Sequence, residues 1–131
     1  MSKKVVLVGH CGPDTSYLRM AVQSAAKDIT VLIADDEQDL QRLLQAGADL
    51  LLINRTLDYG FASESGVGLI TQLRAMYPTL RMMLVSNYPE AQAEAVAAGA
   101  LPGFGKRQIG SAGLKQMIAG ALQDAETPAK L

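Results

Sequence analysis

The only histidine and the only cysteine of this 131-residue chain are neighbours, His10 and Cys11, in the segment Gly9-His-Cys-Gly-Pro13. Imidazole and thiolate both bind metals and both act as nucleophiles, so the pair is the first place to look for chemistry. A metal site needs three or four ligands, and there is no further Cys or His to complete one. A reactive thiol is the second option, because an imidazole and a helix N-terminus both lower a thiol's pKa. The bland option is a small side chain packed beneath a loop. Lys106 stands in a glycine-bracketed stretch near the C-terminus. Buried without a partner, it would have to lose its proton more readily or reach outward to water; otherwise it is an ordinary solvated lysine.

The bulk of the sequence narrows what these groups can serve. Apolar residues make up 49% and charged residues 19% of the chain, enough for one buried core and against disorder. With no tryptophan and six methionines, that core must be aliphatic. A net charge of −1 supplies no electrostatic drive toward nucleic acid or an anionic membrane. A single cysteine excludes an internal disulfide and suits a reducing compartment. The four apolar residues before Gly9 are too few for a signal-peptide core, and no run approaches a membrane span. A cytoplasmic protein is expected, with one domain over 1–124 and a disordered tail over 125–131.

Short β-branched runs alternate with segments of helical period. Val5–Val8, Ile29–Ala34, Leu50–Ile53 and Met82–Val85 read as strands, and Leu101–Gly105 as a weak fifth. Pro102 and two glycines would be costly at a sheet centre but acceptable at an edge. Leu18, Ala21, Val22 and Ala25 recur as one helix face, with Asp14, Thr15 or Ser16 available as its cap. Leu40, Leu43 and Leu44 mark a second helix closed by Gly47, and Leu69, Ile70, Leu73 and Met76 a third stopped by Pro78. An Ala-rich helix starts near Pro89, and Leu114, Met117, Ile118, Ala121 and Leu122 face inward from a fifth. Five strands alternating with five helices predict a parallel sheet covered on both sides. In such sheets chemistry sits at the carboxyl ends of the strands. The segments to search are therefore Gly9–Pro13, Asn54–Ser65, Ser86–Pro89 and Lys106–Gly110.

Ala48-Asp-Leu-Leu-Leu-Ile-Asn54, Ser65-Gly-Val-Gly-Leu-Ile-Thr-Gln-Leu-Arg74, Met82-Met-Leu-Val-Ser-Asn87 and the Ala98-Gly-Ala100 turn before Lys106 stand in a telling order. Together they make nearly the whole chain resemble the response-regulator receiver domain. His10 precedes Asn54 by 44 positions and Lys106 follows it by 52, separations similar to the family's. The resemblance implies a flavodoxin-like, doubly wound five-stranded parallel sheet of order 2-1-3-4-5 with five helices. It also implies a set of parts. An acidic pair after the first strand holds Mg²⁺, and an aspartate after the third is the phosphoacceptor. A Ser or Thr after the fourth strand and a Lys after the fifth bind phosphoryl oxygens, and an aromatic on the fifth reports the state.

On this chain the acidic pair falls on Gly9 and His10, the phosphoacceptor on Asn54 and the aromatic on Gly103; Ser86 and Lys106 remain. Phe104 is one step off and should point to the opposite face. Asp35-Asp36-Glu37 resembles the family's acid pair but lies only 18 residues before Asn54, too near, so it reads as a strand exit and a helix cap. Asn54 is either a switch element mimicking one charge state or a static hydrogen-bonding residue. Asp58 could stand in as acceptor only without its metal support. The stretch Asn54 to Gly66 is longer than the family pattern; its Tyr59 and Phe61 either dock a partner or fold down over the empty pocket. Tyr59, Phe61 and Phe104 are the candidate partner contacts.

The expected function is that of a receiver-like module for signalling through protein–protein contact: phosphorylation-independent and without enzyme activity or cofactor. The resemblance further implies a homodimer paired through the fourth and fifth helices. The partner is expected to be another signalling protein. The alternative rests on Gly12, Thr15, Ser16 and Leu18, which faintly resemble the phosphate loop of phosphotransferase-system IIB proteins. That reading makes Gly9–Ser16 an anion-binding or phosphotransfer loop at a helix N-terminus.

Overall fold

Strands buried on both faces should be apolar at every position, and the central ones here are. In β1 (Lys3–Val8), Val5 and Leu7 point to one side of the sheet and Val6 and Val8 to the other, all four inaccessible to water. The same alternation runs through β3 (Leu50–Asn54) and β4 (Met82–Val85). β2 (Ile29–Ala34) and β5 (Leu101–Phe104) flank them in the order β2-β1-β3-β4-β5, with every pairing parallel. The computed structural model describes residues 3–57 and 60–126.

Two cores result, one on each face. Against Val5, Leu7, Leu50, Leu52, Met83 and Val85 lie α1 (Gly12–Gln23) and α5 (Ala112–Glu126). Against Val6, Val8, Leu51, Ile53, Met82 and Leu84 lie α2 (Glu37–Ala46), α3 (Gly66–Met76) and α4 (Pro89–Ala97). The architecture is the flavodoxin-like one expected, down to strand order.

Local chemistry explains most boundaries. Asp36 caps α2, its carboxylate accepting from Asp39 N at 2.8 Å, so the acidic run is a helix start as read from the sequence. Ser65 caps α3 by accepting from Gly68 N, and Pro89 occupies the first turn of α4. The cap of α1 differs from expectation. The helix opens earlier, with Cys11 at the cap position and no side-chain cap bond, and Asp14 has another partner. α5 continues through Glu126, past the expected boundary at 124; residues 127–131 lie outside the described residues.

β5 joins the edge irregularly. Met83 pairs with Leu101 and Val85 with Phe104, so two steps on β4 face three on β5. That is a bulge, placed where Pro102 and Gly103 break the ladder.

Candidate functional site

Parallel strands deliver their ends to one edge, and four of the loops there carry the residues singled out in the sequence. Asn54 ends β3. Its side-chain amide donates to Gly9 O and to Thr56 O, both at 3.1 Å. Both acceptors are carbonyls, so the site is shaped for a donor. A carboxylate at this position would face two oxygens with nothing to give them, which makes asparagine the matched residue here.

Gly9, at the end of β1, adopts φ +74°, a region that favours glycine. A Cβ on it would meet Leu57 Cδ2 at 2.5 Å and Phe61 Cε2 at 3.5 Å. The long loop after β3 therefore folds back and roofs the end of β1 with two apolar side chains. It is tied down at its base by a Thr56–Ser65 bridge. Glu37, in the first turn of α2, fastens the far side: its N–H donates to Gly60 O at 2.7 Å and its carboxylate accepts from Ala62 N at 3.0 Å. Leu57 and Phe61 are 3% and 8% exposed. Of the two placements the sequence left open for Phe61, the structure has the second: the ring lies down over the end of β1 and is buried there. Tyr59 and Asp58 lie outside the described residues.

His10 turns inward. Its Nε2 donates to Leu52 O at 2.9 Å, since a carbonyl can only accept, which leaves Nδ1 as the unprotonated nitrogen. Nδ1 is buried without a hydrogen-bond partner. Burial, with Lys106 nearby adding to it, holds the imidazole pKa below its ordinary value of 6.5; the Leu52 bond and Asp14 oppose the shift. His10 is consequently a neutral core histidine. Cys11 beside it is exposed.

Lys106 follows β5. Its ammonium meets Asp14 Oδ2 at 2.6 Å, with the two side chains 41% and 24% exposed. Asp14 in the first turn of α1 is thus the partner of the lysine, and this bond is the main reason its pKa lies below the ordinary carboxylate value. Hydrogen bonding to Cys11 acts in the same direction. The sequence offered Asp14 only as a cap. Its pairing depends on α1 and α5 sharing one face of the sheet, which brings the loop after β5 over the start of α1.

Between these groups opens a cleft of about 240 Å³ that brings together Asn54, Ser86 and Lys106. Ser86, buried at the end of β4, accepts from Tyr88 N at 3.1 Å. Two lining residues were not singled out in the sequence. Arg55 stacks its guanidinium 4.8 Å from the centroid of the exposed Tyr88 ring. No motif marks such a pair, since it joins two loops through a contact of side-chain faces. Gly9 and His10 do not line this cleft. Among the described residues no three His, Cys, Asp or Glu side chains converge in a way that could hold a metal ion, and no helix is long and apolar enough to cross a membrane.

The aromatic position is changed as well. Gly103 faces α4, and Phe104 points to the opposite face as expected, into the core beneath α1 and α5. At 1% exposure Phe104 is not available to a partner, which corrects its assignment as a contact.

No family model matches the sequence, and no curated protein matches it. Solved structures do. A putative response regulator from Chloroflexus aurantiacus superposes with a TM-score of 0.78 at 17% identity, covering 94% of this chain and 99% of that one. The signal receiver domain of an HD domain-containing protein from Pseudomonas fluorescens Pf-5 gives 0.78 at 18% identity, over 96% and 90%. The beryllofluoride-activated NtrC4 receiver domain, solved as a dimer, gives 0.76 at 14% identity, over 93% and 98%. The structural neighbours of this chain are response-regulator receiver domains, and its fold is theirs.

Proposed function

We propose that this chain is a receiver-type signalling module that works through protein–protein contact without being phosphorylated. The observation that carries the reading is the state of the sheet's mouth. The residue that ends β3 is an amide donating to two carbonyls, the end of β1 is roofed by Leu57 and Phe61, and the Lys106 ammonium is engaged by Asp14. Phosphoryl transfer needs a nucleophilic oxygen and a metal to spread developing charge. Here Gly9, His10 and Asn54 stand at the degenerate positions, none of them offers a carboxylate, and an apolar roof covers the end of β1. The module is a non-enzyme of the cytoplasm, with a signalling protein as partner. Homodimer formation is part of the proposal, since the NtrC4 receiver is a dimer in its activated form.

The loop Gly9–Ser16 is less suited to the second reading, an anion site. Asp14 places a carboxylate in the first turn of α1, where it competes with any anion for the helix N-terminus and for Lys106.

The test is incubation with acetyl phosphate, or a beryllofluoride salt, with Mg²⁺, read by intact mass and amide NMR. Wild type should gain no phosphoryl mass and show no shifts around residues 50–60 and 84–88. Asn54→Asp, which restores the missing oxygen, should stay unmodified, because Gly9 and His10 still offer no carboxylate to hold Mg²⁺. A stable phosphoryl adduct on wild type would end the proposal. Shifts confined to residues 9–16 on adding phosphate would favour the anion site instead.

A further inference from the structure

We propose that Gln92 of α4 locks the α4–β5 edge into one arrangement, so that this face is preset and does not switch. The inference is independent of the phosphorylation question, because it concerns a different edge of the sheet.

At Gly103 the backbone of β5 comes so close to β4 that a Cβ would run into the Leu84 carbonyl. The same Cβ would lie 2.8 Å from Gln92 Oε1. The slot that a β5 side chain would fill is therefore occupied from the other direction, by a side chain reaching down from the helix. Gln92 uses both ends of its amide there. Oε1 accepts from Gly103 N at 3.1 Å, and Nε2 donates to Leu84 O at 2.9 Å, Ser86 O at 3.1 Å and Phe104 O at 3.3 Å. Two protons serve three acceptors, so one bond is shared.

The bulge in β5 explains why such a side chain is needed. Two residues of β5 set against one of β4 leave backbone groups near Gly103 off the regular ladder, and a buried peptide group wants a partner. Gln92 supplies it and at the same time staples β4 to β5 and both to α4. Ala91 and Ala95, buried at 8% and 0% exposure, let the helix sit close enough for the amide to reach.

A switch needs two arrangements of similar free energy. Sliding or rotating α4 draws the Gln92 amide out of its slot and takes a partner at once from Gly103 N and from the Leu84 and Ser86 carbonyls, while Phe104 O keeps Ser86 N at 2.8 Å. A β5 side chain that could take either of two positions is missing at Gly103. The shallow apolar groove of Ala93, Val96, Ala97 and Pro102 beside it is thereby held in fixed shape.

The test uses the full chain labelled with ¹⁵N. Wild type should show no microsecond-to-millisecond exchange in relaxation dispersion for amides 84–105. Gln92→Leu should raise hydrogen-exchange rates of α4 and β5 amides by about tenfold or more while leaving β1 and α1 unchanged. Gln92→Glu keeps the shape but turns acceptor oxygens toward three carbonyls, and serves if the Leu variant does not fold; it should loosen the same amides. Exchange across α4 and β5 in wild type would overturn the lock, and so would unchanged hydrogen exchange in the folded variants. Phosphorylation of a wild type that shows no such exchange would defeat the proposed function and leave the lock standing.

Discussion

The two ends of the sheet hold their cations differently. At the mouth, Lys106 has one carboxylate partner and keeps 41% of its side chain in water. At the opposite end Arg74, in the last turn of α3, spreads its guanidinium over four backbone carbonyls. Nη1 donates to Tyr77 O at 3.1 Å and Pro78 O at 2.6 Å, and Nη2 to Leu80 O at 2.6 Å and Gly99 O at 2.7 Å. One side chain thereby ties the end of α3, the approach to β4 and the turn before β5. Charge-assisted bonds to otherwise stranded carbonyls contribute far more than a wet ion pair. The difference teaches what each cation does for the fold: Arg74 anchors the end without candidate chemistry, whereas the Lys106–Asp14 pair at the mouth adds little.

Arg74→Leu is the severest way to probe that contrast. It should cost about 3 kcal/mol, seen as a lower urea midpoint at unchanged slope, because several carbonyls lose their donor together. Gly9→Ala attacks the mouth where it is packed. Forcing φ +74° on alanine and pressing its Cβ onto Leu57 should cost roughly 2 kcal/mol and loosen the loop over residues 60–65, read by hydrogen exchange. Asp14→Asn should cost less than about 1 kcal/mol, with the difference from wild type shrinking as salt is added. A loss as large as that of Arg74→Leu would break the comparison. The last probe is a slope. His10 has a folded pKa below 6.5, so above that value neither state binds its proton. As pH falls below 6.5 the unfolded chain takes up a proton that the folded chain refuses, and stability declines until the folded pKa is passed. His10→Asn should remove this decline. Asp14, also depressed, acts lower: its contribution is present above 3.8 and is lost as pH falls through its folded pKa.

Most of the fold was legible because strands buried on both faces must be apolar throughout, and Val5–Val8, Leu50–Ile53 and Met82–Val85 are. Strand order came from the family resemblance, since periodicity carries no information on neighbours. The site was legible wherever a residue's role is set by its place at a strand end, as for Asn54, Ser86 and Lys106. It was not legible where a role depends on a partner distant in sequence. Asp14 meets Lys106 only because two helices share a face, and Gln92 matters only because β5 bulges. Phe61 shows the same limit. An aromatic in a turn-rich loop can lie on the surface or fold down over a strand end, and the missing Cβ of Gly9 is what leaves room for the second.

The irregular fifth strand has a consequence for how copies of this chain meet. A parallel sheet ends in two rows of backbone groups that invite another strand to add on. β5 is four residues long, carries Pro102 with no N–H to offer, and is kinked by its bulge. An incoming strand would find neither the length nor the register to continue the ladder, so lateral growth into fibres is blunted on this side without a single charged residue in the strand.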